Sequence, residues 1–110
     1  MNTIILNGQT YVKEQSKTDC VVVRTFSAGV HVGKLKERNG KEVTLANSRR
    51  IWYWEGAASL SQLAINGVSK PEKCKFSVVV PEIILTEAIE IIPMTEEAVQ
   101  SVYGVSEWKA

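Results

Sequence analysis

The run Cys20-Val21-Val22-Val23 constrains this chain more than any other feature, because four consecutive apolar residues, three of them β-branched, show no polar alternation. β-Branched side chains crowd a helix but fit a pleated strand, and a strand without alternation is covered on both faces. Whatever the fold, something must lie on each side of Val21–Val23. The surrounding sequence supplies more strands. Ile4-Ile5-Leu6 and Gln9-Thr10-Tyr11-Val12 flank Asn7-Gly8, a pair that tolerates the positive φ angles of a type I′ hairpin over 4–12. The chain turns through Phe26-Ser27-Ala28-Gly29 into a strand from Val30 to about Glu37. Asn39-Gly40 repeats the hairpin signal before Lys41 to Leu45. Asn47-Ser48 interrupts, and the aromatic content of Arg49 to Trp54 suits another strand. Phe76 to Val80 and Ile83 to Ile92 complete the set, with Pro81 at the bend between them and Pro93 as the stop.

Two short helices join these strands. Ser59, followed three residues later by Gln62, forms a capping box. Leu60, Leu63 and Ala64 give a short apolar face and Gly67 stands at C′, so a helix of about two turns is expected over 60–66. Thr95 caps a second helix over 95–103, where Glu96 and Glu97 favour the positive end of the dipole. Met94 and Val99 occupy the staple positions, Val99, Val102 and Tyr103 form the inward stripe, and Gly104 ends it. The tail 105–110 carries Trp108, too apolar to stand free, and is expected to dock on the body or on another subunit. The reading is one domain over 1–110 with its sheet core at 19–92. Its class is α+β: a mostly antiparallel curled sheet or small open β-barrel with two short helices on one side. Regular strand–helix alternation, the mark of a doubly wound parallel sheet, is missing.

Bulk properties exclude several function classes. A chain of 110 residues builds one core, and 45% hydrophobic with 23% charged residues is a globular composition. A net charge of +1 argues against a general binder of duplex nucleic acid. No stretch approaches the roughly 18 apolar residues of a membrane helix, since Phe76 to Ile92 is broken by Pro81, Glu82, Glu87 and Glu90. Met1-Asn2-Thr3 has no basic n-region, so a cytoplasmic location is expected. Cys20 and Cys74 read as reduced core residues. One histidine and no Cys-x-x-Cys pair predict no metal site, and no cofactor is expected.

Two clusters carry candidate chemistry. In Arg49-Arg50-Ile51-Trp52-Tyr53-Trp54, strand alternation puts Arg50, Trp52 and Trp54 on one face and Arg49, Ile51 and Tyr53 on the other. Guanidinium donors beside an aromatic wall suit a nucleotide, whose base stacks while its phosphate takes an arginine. The same residues would also serve as a packed core or a subunit interface with arginines stacked on tryptophans. The second cluster, Arg24 to Gly33, has small residues, hydroxyls and two glycines that would let backbone N–H groups close on an anion. It lacks the Lys-Ser/Thr ending of a P-loop, and a tight strand connection would use the same residues. His31 alone reads more readily as a structural or rim histidine than as a catalytic base. Glu87 and Glu90 fall on opposite faces of an extended strand, and no serine or cysteine has the setting of a nucleophile, so no catalytic residue is expected.

Taken together, Val23-Arg24-Thr25-Phe26-Ser27-Ala28-Gly29-Val30-His31-Val32-Gly33, Lys41-Glu42-Val43 and Asn47-Ser48-Arg49-Arg50-Ile51-Trp52-Tyr53-Trp54 resemble small phage and prophage proteins. Gly56-Ala57-Ala58-Ser59-Leu60-Ser61 and Leu85 to Pro93 fit the same pattern, which is similar to the first-described Thoeris anti-defence family, the phage "sponge" proteins. That resemblance implies a viral protein of the infected bacterial cytoplasm that sequesters cyclic ADP-ribose isomers made by TIR-domain enzymes, without cleaving them. It also implies cyclic oligonucleotide binding in some members and a homo-oligomer, dimeric or larger. It covers roughly Val21 to Pro93 and carries over Arg24, Ser27, Gly29, His31, Arg49, Arg50 and Trp52 as ligand contacts. The segment after Pro93 has no arginine, so no family contact from a C-terminal arginine carries over. Three other readings compete: a phage assembly component with Trp52 and Trp54 between subunits, a binder of single-stranded nucleic acid and, last, an uncatalogued hydrolase.

Overall fold

A computed structural model describes the backbone of residues 4–6, 9–11 and 17–110, and side chains from Thr18 onward. Strands β1 (Ile4–Leu6) and β2 (Gln9–Tyr11) pair antiparallel with Ile4 opposite Tyr11, as expected of a hairpin; its Asn7-Gly8 turn lies outside the described residues. The main sheet contains six antiparallel strands: β3 (Lys17–Thr25), β4 (Val30–Asn39), β5 (Glu42–Tyr53), β6 (Lys75–Phe76), β7 (Val80–Leu85) and β8 (Ala88–Thr95). Their order is β6-β5-β4-β3-β8, with β7 sharing the outer side of β5. Helices α1 (Leu60–Asn66) and α2 (Glu96–Tyr103) pack on one face, which makes an α+β fold on an open sheet.

The connection between β7 and β8 shows how far this sheet curls. Four strand spacings separate them in the sheet order, roughly 19 Å if the sheet were flat. Only Thr86 and Glu87 join them, and three Cα steps reach about 11 Å. The sheet must therefore fold over until its two edges approach at that end. The main chain records it: the N–H of Ala88 donates to the carbonyl of Lys41, at the tip of the β4–β5 hairpin, over 3.0 Å. The continuous strand expected over Ile83 to Ile92 is thus two strands on opposite sides of the sheet. Pro93, expected as a stop, lies inside β8, opposite Val21. An edge strand accommodates a residue without N–H when that position faces outward.

The fold-over is built at Gly33 and Asn47. Val32 pairs with Arg49 and Lys34 with Ala46, so Gly33 alone stands opposite both Asn47 and Ser48. This is a β-bulge, with Asn47 in the left-handed region at φ 50°. A Cβ on Gly33 would lie 3.0 Å from the Leu45 Cβ and 3.1 Å from the Ala46 carbonyl oxygen, so only glycine lets the bent half of β5 lie this close. The interruption read at Asn47-Ser48 is therefore a bulge within one strand of 12 residues, not a break. One extra residue also reverses the alternation: odd-numbered Val43 and Leu45 face one side, odd-numbered Arg49 and Ile51 the other. The second hairpin also shifts by one residue. Asn39 pairs with Glu42, leaving Gly40 (φ 63°) and Lys41 as the turn.

Val21–Val23 is buried on both faces. Val22 joins Val32, Ile51, Leu63, Phe76, Met94 and Val102 beneath the helices, while Val21 and Val23 join Val43, Leu45 and Leu85 under the folded-over half. Both helices form where their caps predict. The Ser59 hydroxyl accepts from Gln62 N at 3.1 Å, Gly67 ends α1 at φ 75°, and Thr95 accepts from Ala98 N at 3.1 Å. The last carbonyls of α2 find no basic residue in its own final turn. Arg49 supplies the cation from the sheet: Nη1 donates to Val102 O and Val105 O at 2.8 Å each, and Nε donates to Ser77 O at 2.8 Å. The Tyr103 hydroxyl donates to the carbonyl of the bulge residue Asn47 at 2.5 Å. Burial pushes that phenol up to about 12, so it keeps its proton and donates throughout the working range. Cys20 and Cys74 are both free thiols.

Candidate functional site: a polar cleft beside the second core

Where the folded-over half stops, a cleft of about 200 Å³ remains on the sheet face opposite the helices. His31 on β4 and Arg50 on β5 are cross-strand partners there, and Ser48 and Trp52 precede and follow Arg50 on the same face. The reversal at Asn47 puts all three β5 side chains on this side. The segment between β6 and β7 forms the wall with Val78, joined by Val80 and Ile83 of β7. Ser77 fixes it: its N–H donates to Arg50 O at 2.9 Å, and its hydroxyl accepts from Arg50 N at 2.8 Å.

Three buried polar atoms among the described residues have no hydrogen-bond partner: His31 Nδ1, Ser48 Oγ and Arg50 Nε. All three belong to side chains lining this one cleft. A buried polar atom left unpaired costs about 1–3 kcal/mol, so three on the side chains lining one cleft single it out as the candidate site. His31 is fully buried, and Nε2 lies 2.9 Å from the Ala28 carbonyl oxygen. Burial pushes its pKa below the ordinary histidine value. The Arg50 cation pushes the same way, and the Ala28 bond opposes both. The ring is therefore neutral at pH 7, with its proton on Nε2, because a carbonyl can only accept. The Arg50 guanidinium carbon sits 5.4 Å from the ring centre of Trp52, and Trp108 meets Trp52 edge-on at 6.3 Å. The expected docking of Trp108 is thus on the chain's own body, its N–H donating to Phe76 O at 2.8 Å.

The structure separates the other expected contacts from this cleft. Arg49 is 1% exposed and its donors are taken by main-chain carbonyls, with Phe76 stacked 5.5 Å from its guanidinium carbon. Its place is the helix-side interior, not a ligand surface. Arg24 alternates onto the helix side of β3 and pairs with Glu90 across the strand at 3.2 Å. The exposed Ser27 donates to Glu87 at 3.0 Å. Gly29 takes φ 82° and closes its turn by accepting from Thr25. Several of that turn's N–H groups are spent internally: Phe26 N on Glu87 O, and Ala28 N on the Thr25 hydroxyl. The turn reaches the cleft only through Ala28 and His31. Trp54, expected beside Trp52, packs instead against the helix-side core after β5 ends.

Sequence reasoning passed over Ser48 and the Ser77–Val80 wall. A hydroxyl directly after the Asn that breaks a strand pattern was the one available signal for Ser48. The wall had none, because a non-local fold brings it there. A larger hollow of about 450 Å³ lies beside Pro71, Cys74, Glu107 and Trp108. None of the unpartnered buried atoms belongs to its lining, so the smaller cleft is the better site. Among the described residues no group of three or more His, Cys, Asp or Glu is placed to hold a metal ion. No helix there is long and apolar enough to cross a membrane.

A family model described as a domain of unknown function, DUF6948, matches residues 18–102. The match takes in every residue named in the cleft and leaves out the N-terminal hairpin and Trp108. No curated protein matches the chain, and no solved structure does.

Proposed function

The chain belongs to the DUF6948 family, whose description names no activity, and we propose that it works by binding and withholding a nucleotide-type ligand in the His31–Arg50 cleft. The observation that carries this reading is a guanidinium stacked on an exposed tryptophan, both lining one cleft whose polar side chains His31, Ser48 and Arg50 each keep a buried atom without a partner. An aromatic ring, a cation and fixed hydrogen-bonding atoms complement a base, its phosphates and its ribose hydroxyls. The resemblance to Thoeris sponge proteins supplies the specific ligand: a cyclic ADP-ribose isomer, or a cyclic oligonucleotide, held intact in the cytoplasm of an infected bacterium. Whole-ligand pockets measure about 300–1,000 Å³. A cleft of about 200 Å³ takes part of such a molecule, which favours a second copy of the chain closing over the rest. Binding without turnover is supported by His31, whose Nε2 proton is engaged by the Ala28 carbonyl.

Isothermal titration of a cyclic ADP-ribose isomer tests the reading. Saturable binding is expected, and Arg50→Ala should weaken it by about tenfold or more, the equivalent of about 1.4 kcal/mol. Ligand recovered unchanged after heat denaturation of the complex would agree with sequestration, and recovered ADP-ribose would overturn it. A second reading has its own observation: Trp52 and Val78 on the cleft lining are substantially exposed, as is Trp108, which meets Trp52 edge-on. An assembly interface would cover such a patch. Native mass spectrometry that finds an oligomer with no nucleotide uptake would favour it.

A further inference from the structure

We propose that Trp52 and Trp108, bracketed by Arg50 and Lys75, form an exposed platform on which the nucleobase of the ligand stacks, and that the two cations take its phosphates. The proposal rests on the nucleotide-binding reading above and adds Lys75 and Trp108 to the residues that carry it.

The four side chains are consecutive neighbours. The Arg50 guanidinium carbon is 5.4 Å from the Trp52 ring centre, the Trp52 and Trp108 rings meet edge-on at 6.3 Å, and Lys75 Nζ is 5.3 Å from the Trp108 ring centre. With these neighbours in place Trp52 is still 58% exposed and Trp108 51% exposed. Aromatic surface therefore remains open to a flat guest. The tail that brings Trp108 here is anchored. Val105 is buried, and its carbonyl accepts from Arg49 Nη1 at 2.8 Å. Glu107 forms a parallel bridge with Phe76, and the N–H of Trp108 donates to Phe76 O at 2.8 Å. Main-chain bonds thus fix a large apolar ring about half of which stays in water. A ring fixed in advance loses little freedom when a guest lies on it.

Charge selects the guest. Among the described residues the ion pairs are Arg24–Glu90, Lys36–Glu82 and Lys109–Glu107, so neither Arg50 nor Lys75 is paired with a carboxylate there. Glu107, the acid next to Trp108, lies 3.5 Å from Lys109. A second copy laid patch to patch would set Arg50 and Lys75 against their equivalents. A nucleotide instead offers a base to the rings and phosphates to the cations. The cleft of about 200 Å³ is too small for the whole of such a molecule, and Trp52 belongs to its lining, so a ligand that leaves the cleft passes onto the platform.

The test is calorimetric titration of a cyclic ADP-ribose isomer into the wild type, Trp108→Ala and Lys75→Gln. Lys41→Gln, at the exposed tip of the β4–β5 hairpin, is the control. Trp108→Ala should weaken binding about fivefold or more, the lower end of what loss of one stacking ring costs. Lys75→Gln should weaken it about twofold and flatten its fall with salt, while Lys41→Gln leaves both unchanged. Trp108→Phe should restore most of the affinity lost in Trp108→Ala, as a stacking role requires. Wild-type affinity in both Trp108→Ala and Lys75→Gln, with Arg50→Ala still impaired, would overturn the platform and leave nucleotide binding standing. Sedimentation of the ligand-free protein checks the other occupant: an oligomer that Trp108→Ala splits would make the patch a subunit contact and overturn the proposal. Absence of binding by the wild type would remove both readings.

Discussion

Arg49 and Arg50 are neighbours on one strand, yet they belong to different parts of the molecule. Arg49 turns to the helix side, where every named donor finds a carbonyl and the helix α2 gains the cation its own last turn lacks. Arg50 turns to the opposite face, where its Nε has nothing to bind and its guanidinium leans on an exposed tryptophan. The same contrast runs through the two faces of the sheet. The helix side is closed, with its core beneath two capped helices. The other side is closed only as far as the folded-over hairpin reaches, and the polar atoms left at that margin form the site. The guanidinium whose donors meet carbonyls holds the fold together, while the one stacked on Trp52 lines the candidate cleft.

Three measurements probe this contrast. The largest effect is expected from Arg49→Met, which takes the buried guanidinium donors away from the Ser77, Val102 and Val105 carbonyls. It should lower unfolding free energy by about 3 kcal/mol or more in urea titrations. Arg50→Met should change stability by less than about 1 kcal/mol while impairing binding. Equal losses from the two would erase the distinction. Next, Gly33→Ala sets a methyl against Leu45 and the Ala46 carbonyl, so a loss of about 1–3 kcal/mol is expected from thermal or urea unfolding, with weaker ligand binding. Gly29→Ala meets open space and only the penalty of its positive φ, so it should cost less. The smallest effect comes from pH. The folded pKa of His31 lies below its ordinary value of 6.5, mainly because the ring is buried. Below about pH 6.5 the unfolded chain takes up the proton first, so this residue's contribution, complete above that pH, is lost as pH falls through the folded pKa. Comparing the wild-type stability slope below pH 6.5 with that of His31→Gln isolates the contribution. Identical slopes would show that His31 is not held neutral.

Much of the fold was legible because it is written in local chemistry. Ser59, Gly67 and Thr95 mark helix ends by hydrogen bonds and φ angles that need no distant residue. Val21–Val23 announced burial on both faces, and both cores are present. Less of the site was legible. The pairing of Arg50 with Trp52 followed from alternation, and His31 was named from its cluster, but nothing local joined them. Arg49 looked as available as Arg50, because residue type does not reveal whether a donor's partners come from a helix more than fifty residues later. Ser48 looked like part of a break.

Local preferences along the chain suffice for an antiparallel sheet with two short helices and a strand buried on both sides. Turn, cap and β-branched preferences act over a few residues and leave little choice. Only the tertiary structure decided which arginine is structural and where the cleft lies. One extra residue at Asn47 reverses the alternation of β5, and the small space of Gly33 lets the hairpin fold across Val21 and Val23. Those two local events place Arg50 opposite His31 at an uncovered margin, a juxtaposition set by pairing between strands and by packing between layers.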